Sequence, residues 1–168
     1  MIQIREATLE DAQGLIGHAR TVLENSYFTL TTLEEYKATK ESQEKWIADI
    51  YQQRNLIIVA EDQGEIIGDL LFVRGGKIRN SHTGEFAVGV QDKYRGRGIG
   101  KRMIRALITW AKSTKEIEKI CLQVISGNDA AIALYQKMGF QEEGRLKKQI
   151  KFSKGEYADL INMSLFLD

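Results

Sequence analysis

Proline is wholly absent from the 168 residues, whereas usage near the ordinary 5%, roughly, would supply several. Turns must therefore rest on glycine, asparagine and aspartate, and 15 glycines are available for them. Cysteine is almost as scarce. The lone Cys121 excludes a disulfide within the chain, and its place in the apolar run Ile120-Cys121-Leu122 marks it as a buried structural thiol. The two histidines, His18 and His82, stand apart from other metal-ligating residue types, so no metal site is expected; His18 reads as part of a helix face. No window approaches the ~20 apolar residues of a membrane-spanning helix. Met1-Ile2-Gln3-Ile4-Arg5 lacks a basic segment followed by an apolar one, so a cytoplasmic chain without membrane attachment is expected. An excess of one charge sign is missing too: 24 Lys and Arg against 23 Asp and Glu leave +1, which gives no bulk attraction to nucleic acid.

What is present suits one globular domain over residues 1–168, with 43% hydrophobic and 28% charged residues. Ile2 and Ile4 alternate with polar residues as a short strand does, and Thr8 with Asp11 resembles a capping box opening a helix toward Val22. After the aromatic segment Asn25 to Leu30, Thr32 and Glu35 suggest a second cap and a helix to about Gln53, with Tyr36, Trp46, Ile47 and Ile50 on its apolar side. Leu56 to Ala60 and Glu65 to Val73 read as a hairpin about Gln63-Gly64. Glu85 to Val90 is a further strand, Ile117 to Val124 another, and Ser126 to Asp129 begins a short helix through Met138 that Gly139 stops. Phe140 to Phe152 and Tyr157 to Leu167 are two last strands around Ser153-Lys154-Gly155-Glu156.

The most informative stretch lies between the Glu85–Val90 strand and the helix expected from Gly98 to Lys115, whose apolar stripe is Ile99, Met103, Leu107 and Trp110. A helix N-terminus carries about half a positive charge and unpaired N–H groups. Arg95, Arg97, Lys101 and Arg102 crowd that end, where exposed cations are each disfavoured by ~0.3–1 kcal/mol. A bound anion reverses the sign. Gly96, Gly98 and Gly100 let the backbone turn its N–H groups toward such a ligand. By itself the segment fits either a phosphate cradle or a solvated basic turn. A Walker loop fails at Arg95 and Arg102, and a dinucleotide fingerprint starting at Gly96 fails at Lys101.

Val90 followed by Tyr94-Arg95-Gly96-Arg97-Gly98-Ile99-Gly100, then Asn128-x-x-Ala131-Ile132-x-Leu134-Tyr135-x-Lys137-x-Gly139-Phe140, resembles the GNAT superfamily of acyl-CoA-dependent N-acetyltransferases. Glu143-Gly144-Arg145, Gly155-x-Tyr157-x-Asp159 and Met163 resemble the branch of spermidine, amino-acid and ribosomal-protein N-terminal acetyltransferases. The resemblance implies an α/β (α+β) fold: a central mixed, mostly antiparallel twisted sheet of about seven strands flanked by about four helices. Its order would be strand, two helices, three strands, helix, strand, helix, two strands. It implies acetyl-CoA as acetyl donor, a small-molecule amine as acceptor, no nucleic-acid or membrane partner, and is compatible with a homodimer.

The same resemblance assigns roles. Arg95 through Gly100 would hold the pyrophosphate, with Arg95, Arg97 or Lys101 reaching the 3′-phosphate. The strand carrying Val88, Gly89 and Val90 would splay from Ile120–Val124 to admit pantetheine, and Ala131 and Lys137 belong to the second motif. Asn128 would bond the pantetheine arm and Tyr135 would serve as acid beside the sulfur. Seven residues of helix place those two about 20° apart in azimuth and roughly 10.5 Å along the axis. Without the resemblance Tyr135 reads as a core aromatic. A backbone bulge near Val88 to Val90, where relatives have one, would polarise the thioester carbonyl; Gly89 fits such a bulge or simple packing. Gln123 stands where many relatives carry a carboxylate and cannot accept a proton. Glu85 remains as a base acting through water, or as a solvent-facing carboxylate that only a bulge would turn toward the Val90 side. Asp92 replaces a proline common among relatives. Acceptor contacts are expected from Asn25 to Leu30 and from Phe152 to Tyr157, and Glu24, Glu34 and Glu35 could draw in a cationic amine, although acids at a helix start also suit its dipole. A non-catalytic acyl-CoA-binding module and a protein N-terminal acetyltransferase are the alternatives.

Overall fold

A computed structural model of the chain describes residues 1–167; Asp168, the last residue of the expected domain, lies outside the described residues. The chain runs β1 (Gln3–Glu6), α1 (Ala12–Asn25), α2 (Lys40–Gln52), β2 (Leu56–Asp62), β3 (Glu65–Arg74), β4 (Thr83–Val90), α3 (Ile99–Thr114), β5 (Lys119–Ile125), α4 (Asp129–Lys137), β6 (Gln141–Ser153) and β7 (Glu156–Phe166). Among the described residues these are the seven strands and four α-helices the sequence reading expects. One sheet holds all seven strands in the order β1-β2-β3-β4-β5-β7-β6. Every neighbouring pair is antiparallel except β4 with β5.

Each face of the sheet is covered for a reason visible in the residue pattern. Ile99, Met103, Ile104, Leu107 and Ala111 form one buried stripe on α3 and pack with Leu70, Phe72, Phe86 and Ile120. Burying each large side chain of this kind contributes about 1.5–3 kcal/mol. The other face takes α1 and α2 through Leu15, Ile47 and Ile50, which meet Ile57, Val59 and Ile66. Period-two alternation along β2 and β3 sorts the two sets, because successive residues point to opposite faces.

The second helix begins later than expected. Thr32 and Glu35 do interact, with the Thr32 backbone N–H and hydroxyl donating to the Glu35 carboxylate at 2.9 and 2.8 Å. They close only a turn, and α2 starts at Lys40 behind a second, reciprocal box in which Thr39 and Ser42 cap each other's N–H groups at 2.9 and 3.2 Å. Residues 33–39 are thereby released from helix, and Tyr36 turns inward to the cavity described below.

Two further expectations change. The β3–β4 register is unbroken from Gly68↔Val90 to Arg74↔Gly84, so β4 carries no bulge against β3. Cys121 is half-buried rather than buried, paired across the ladder with Glu85 while Ile120 and Leu122 take the core side. Burial pushes its thiol pKa up, which keeps it protonated and unreactive.

Candidate active site

Three parallel residue pairs, Thr83↔Lys119, Gly84↔Ile120 and Glu85↔Cys121, join β4 to β5, and beyond Glu85 the two strands part. The backbone N–H of Gln91 donates to the Ile67 carbonyl at 3.0 Å. Antiparallel bonding alternates, so Glu85, Ala87 and Gly89 share that commitment to β3, while the backbone groups of Phe86, Val88 and Val90 face the open β5 side. The free donors expected from a bulge thus come from the splay itself. The Val90 carbonyl on this open edge accepts from Arg95 Nε at 3.3 Å.

The gap opens into a cavity of about 450 Å³. Phe86, Val88 and Gly89 line it from β4, Gln123 and Val124 from β5, Asn128 from the turn before α4 and Tyr135 from α4; His18 and Asp69 close the α1 side. Tyr135 is 8% exposed and stands edge-on to Phe86 and Phe140 at ring separations of 6.0 and 6.1 Å. Burial alone pushes its phenol up to about 12, so it holds its proton at neutral pH and can donate it. Asn128 is the residue before α4, and its side chain makes no capping bond, which leaves the amide available to the cavity. Gln123 donates to Asn162 at 3.1 Å and offers no base.

At the end of β4 a short turn, Asp92–Tyr94, leads to Gly96 and Gly98, at φ +73° and +72°. Those left-handed angles are where glycine costs least. Gly98 caps α3 with no side chain on the first N–H groups, so Ile99, Gly100 and Lys101 present bare donors. Leu134 of α4 approaches the Gly100 position, 3.7 Å from where a Cβ would stand. The four cations separate clearly. Arg102 is tied to the Ile2 carbonyl at 2.9 Å, Arg95 pairs with Asp92 at 2.6 Å, and Arg97 rests over the Tyr94 ring at 5.2 Å. Arg97 and Lys101 form no ion pair among the described residues.

Not every expected residue joins the cavity. Glu85 is exposed, outside the lining, and its carboxyl is raised by the protein crowding one side of it. Lys137 is exposed in the last turn of α4, where a cation suits the helix dipole, and Ala131 packs against the core. Of the expected acceptor segments, Phe28, Thr29 and Leu30 line the cavity. Tyr27 stacks on Phe152 at 4.3 Å and its hydroxyl bonds Glu156, which ties this segment to the β6–β7 hairpin. His18 and Asp69 carry no role in the sequence reading. The available signal was Asp69 itself, a carboxylate inside the apolar run Ile66-Ile67-Gly68-Asp69-Leu70-Leu71.

The splayed β4–β5 pair, the uncapped glycine-rich start of α3 and the buried Tyr135 thus lie on one side of the sheet's parting. Residues 18–140 match the Acetyltransferase (GNAT) family. The chain belongs to that family and is an acetyl-CoA-dependent N-acetyltransferase. It is similar to L-amino acid N-acetyltransferase AaaT of Escherichia coli, 31% identical over 107 residues that span 64% of this chain and 65% of the relative, just under two thirds of its length. It is also similar to the spermidine N(1)-acetyltransferase of Escherichia coli, 29% identical over 79% of this chain and 70% of the relative. In fold it resembles a GNAT-family acetyltransferase from Streptococcus pneumoniae, with a TM-score of 0.94, full coverage of both chains and 24% identity. Among the described residues no helix is long and apolar enough to cross a membrane, and no cluster of three or more His, Cys, Asp or Glu could hold a metal.

Proposed function

We propose that the chain moves the acetyl group of acetyl-CoA to a primary amine of a small molecule by direct attack in a ternary complex. The observation that carries this reading is the parting of β4 from β5, which puts Val88, Asn128 and Tyr135 on one cavity and leads through Val90 to the bare N–H groups of Ile99 to Lys101. Helix-start donors with Arg97 and Lys101 suit a pyrophosphate and a 3′-phosphate. Open-edge groups of Val88 and Val90 suit the amides of pantetheine, with an N–H of this edge left to polarise the thioester carbonyl.

At the reacting end an ammonium first loses one proton to solvent, and the neutral nitrogen then bonds to the acetyl carbon. The carbon–sulfur bond breaks with its electron pair on sulfur. Tyr135 gives its proton to that thiolate and recovers one from the new amide nitrogen, so each turnover releases one proton overall. A phenol held at about 12 suits this donor role, because it is protonated at working pH yet near the thiolate.

Size and closure favour a small acceptor over a protein N-terminus. The cavity volume lies within the ordinary small-ligand range of about 300–1,000 Å³. The Tyr27 contacts to Phe152 and Glu156 tie the lining segment Phe28–Leu30 to the β6–β7 hairpin, which suits a fixed wall more than a peptide groove. Thiol release from acetyl-CoA, followed over diamines, amino acids and N-terminal peptides, tests the reading. Amine-dependent release with a small molecule is the expected result; release only with peptides would replace the small acceptor by a protein one.

A further inference from the structure

The α1 wall of the cavity holds a pair of groups that the acetyl transfer described above does not use. His18 is 2% exposed, and its Nε2 lies 2.9 Å from Asp69 Oδ1. Its Nδ1 is buried with no hydrogen-bond partner. A proton on Nε2 alone leaves only an unmet lone pair there, whereas a second proton on Nδ1 would be a buried charged donor with nothing to accept it. The pair is therefore a neutral imidazole donating to an ionised carboxylate. His18 fixes the carboxylate without cancelling its charge.

Asp69 retains about a third of its side-chain surface, on the cavity side, and makes no ion pair with Lys or Arg among the described residues. Room for the pair is set by Gly89, where a Cβ would come within 3.0 Å of Asp69 Oδ1 and 3.6 Å of His18 Nε2. The charged and titratable groups near it are few. Tyr36 faces it from the segment before α2, its phenol raised by burial and then by the charge of Asp69; Arg20 of α1 acts on Tyr36 but does not line the cavity. Among the described lining residues none is Lys or Arg. The space between Asp69 and Tyr135 is walled by Val22, Phe28, Val88 and Val124, a surface suited to methylene groups.

We propose that Asp69, positioned by His18, is the subsite for a second, non-reacting ammonium of the acceptor, so that the acceptor class is a diamine or polyamine. This rests on the acetyl-transfer reading for the reacting end and takes no part in its bond making. An α-amino acid fits the wall poorly, since its carboxylate would meet the unmatched charge of Asp69 with no cation beside it.

Initial rates with putrescine and with butylamine, which has the same carbon chain and one nitrogen fewer, test the subsite together with methionine sulfone. Wild-type protein is expected to show a KM for putrescine about tenfold or more below that for butylamine. Asp69→Asn should raise the putrescine KM about 10–100-fold, the usual loss for one charge-assisted hydrogen bond. The KM for butylamine and for acetyl-CoA should stay within about twofold, and Asp69→Glu should restore part of the putrescine KM. His18→Gln should raise the putrescine KM in the same direction while leaving kcat with butylamine unchanged, a split that mere loss of folding does not give. Equal losses for putrescine and butylamine, no loss for either, or a wild-type preference for methionine sulfone would overturn the subsite while leaving acetyl transfer standing. Calorimetric titration of putrescine into both proteins keeps the two readings apart if wild type releases no thiol on any amine. Binding weakened at least about tenfold by Asp69→Asn then supports the subsite, and equal binding overturns it.

Discussion

Single residues fix the site because each has its alternatives removed by burial or pairing. Asp11 shows this away from the chemistry. It is 8% exposed, takes two 2.7 Å bonds from Arg5, and is also bonded by the Thr8 N–H at 2.7 Å. The Arg5 bonds come first in holding its carboxyl below the usual range. A depressed carboxylate contributes stability that is present above its unfolded pKa and is lost as pH falls through the folded one. Asp11→Asn should therefore cost about 1–3 kcal/mol at neutral pH in urea unfolding, and the gap to wild type should close toward pH ~3. The capping pair Thr8 and Asp11 was legible because its spacing is local. The His18–Asp69 pair was not, since 51 positions separate partners that only the packing of α1 on β3 brings together.

Elements carry the next level. Glycines were legible as turn formers, yet Gly84 serves a different end: a Cβ there would run into the buried ring of Phe72. Gly84→Ala should destabilise the fold by about 1–3 kcal/mol, read as a lower urea midpoint with unchanged slope. A gain or no change would mean the ring can move aside. In the glycine loop, Arg102 is pinned to Ile2, just before β1, and Arg95 to Asp92, so the proposed reading gives the phosphates to Arg97 and Lys101. Replacing Arg97 and Lys101 together by Ala should raise the KM for acetyl-CoA about tenfold or more, whereas Arg102→Ala should leave it within about twofold. The sequence placed all four cations at the helix start and could not rank them, because the ranking depends on partners at Ile2 and in the turn. The late start of α2 has a similar cause. Two capping boxes lie seven residues apart, and tertiary packing of Tyr36 into the cavity selects the second.

At the scale of the molecule, the succession of strands along the chain and their alternation were readable from hydrophobic period, whereas the spatial order that sets β7 between β5 and β6 was not. The splay was not visible in composition or periodicity; it came with the resemblance, and the β4–β5 ladder that stops at Glu85↔Cys121 gives it physical form. Parallel pairing that ends at Glu85↔Cys121 leaves the β5-facing backbone of Val88 with no strand partner beside the cavity, a cost that a bound ligand would offset. In the proposed reading, edge, loop and tyrosine take the donor and the α1 wall takes the acceptor. The most direct test is thiol release from acetyl-CoA at saturating amine, comparing wild type with Tyr135→Phe. Tyr135→Phe is expected to lower kcat about 100-fold or more while the KM for acetyl-CoA stays within about twofold, the pattern of a group acting in the transition state. An unchanged kcat, or wild-type protein that binds acetyl-CoA and releases no thiol with any amine, would contradict it.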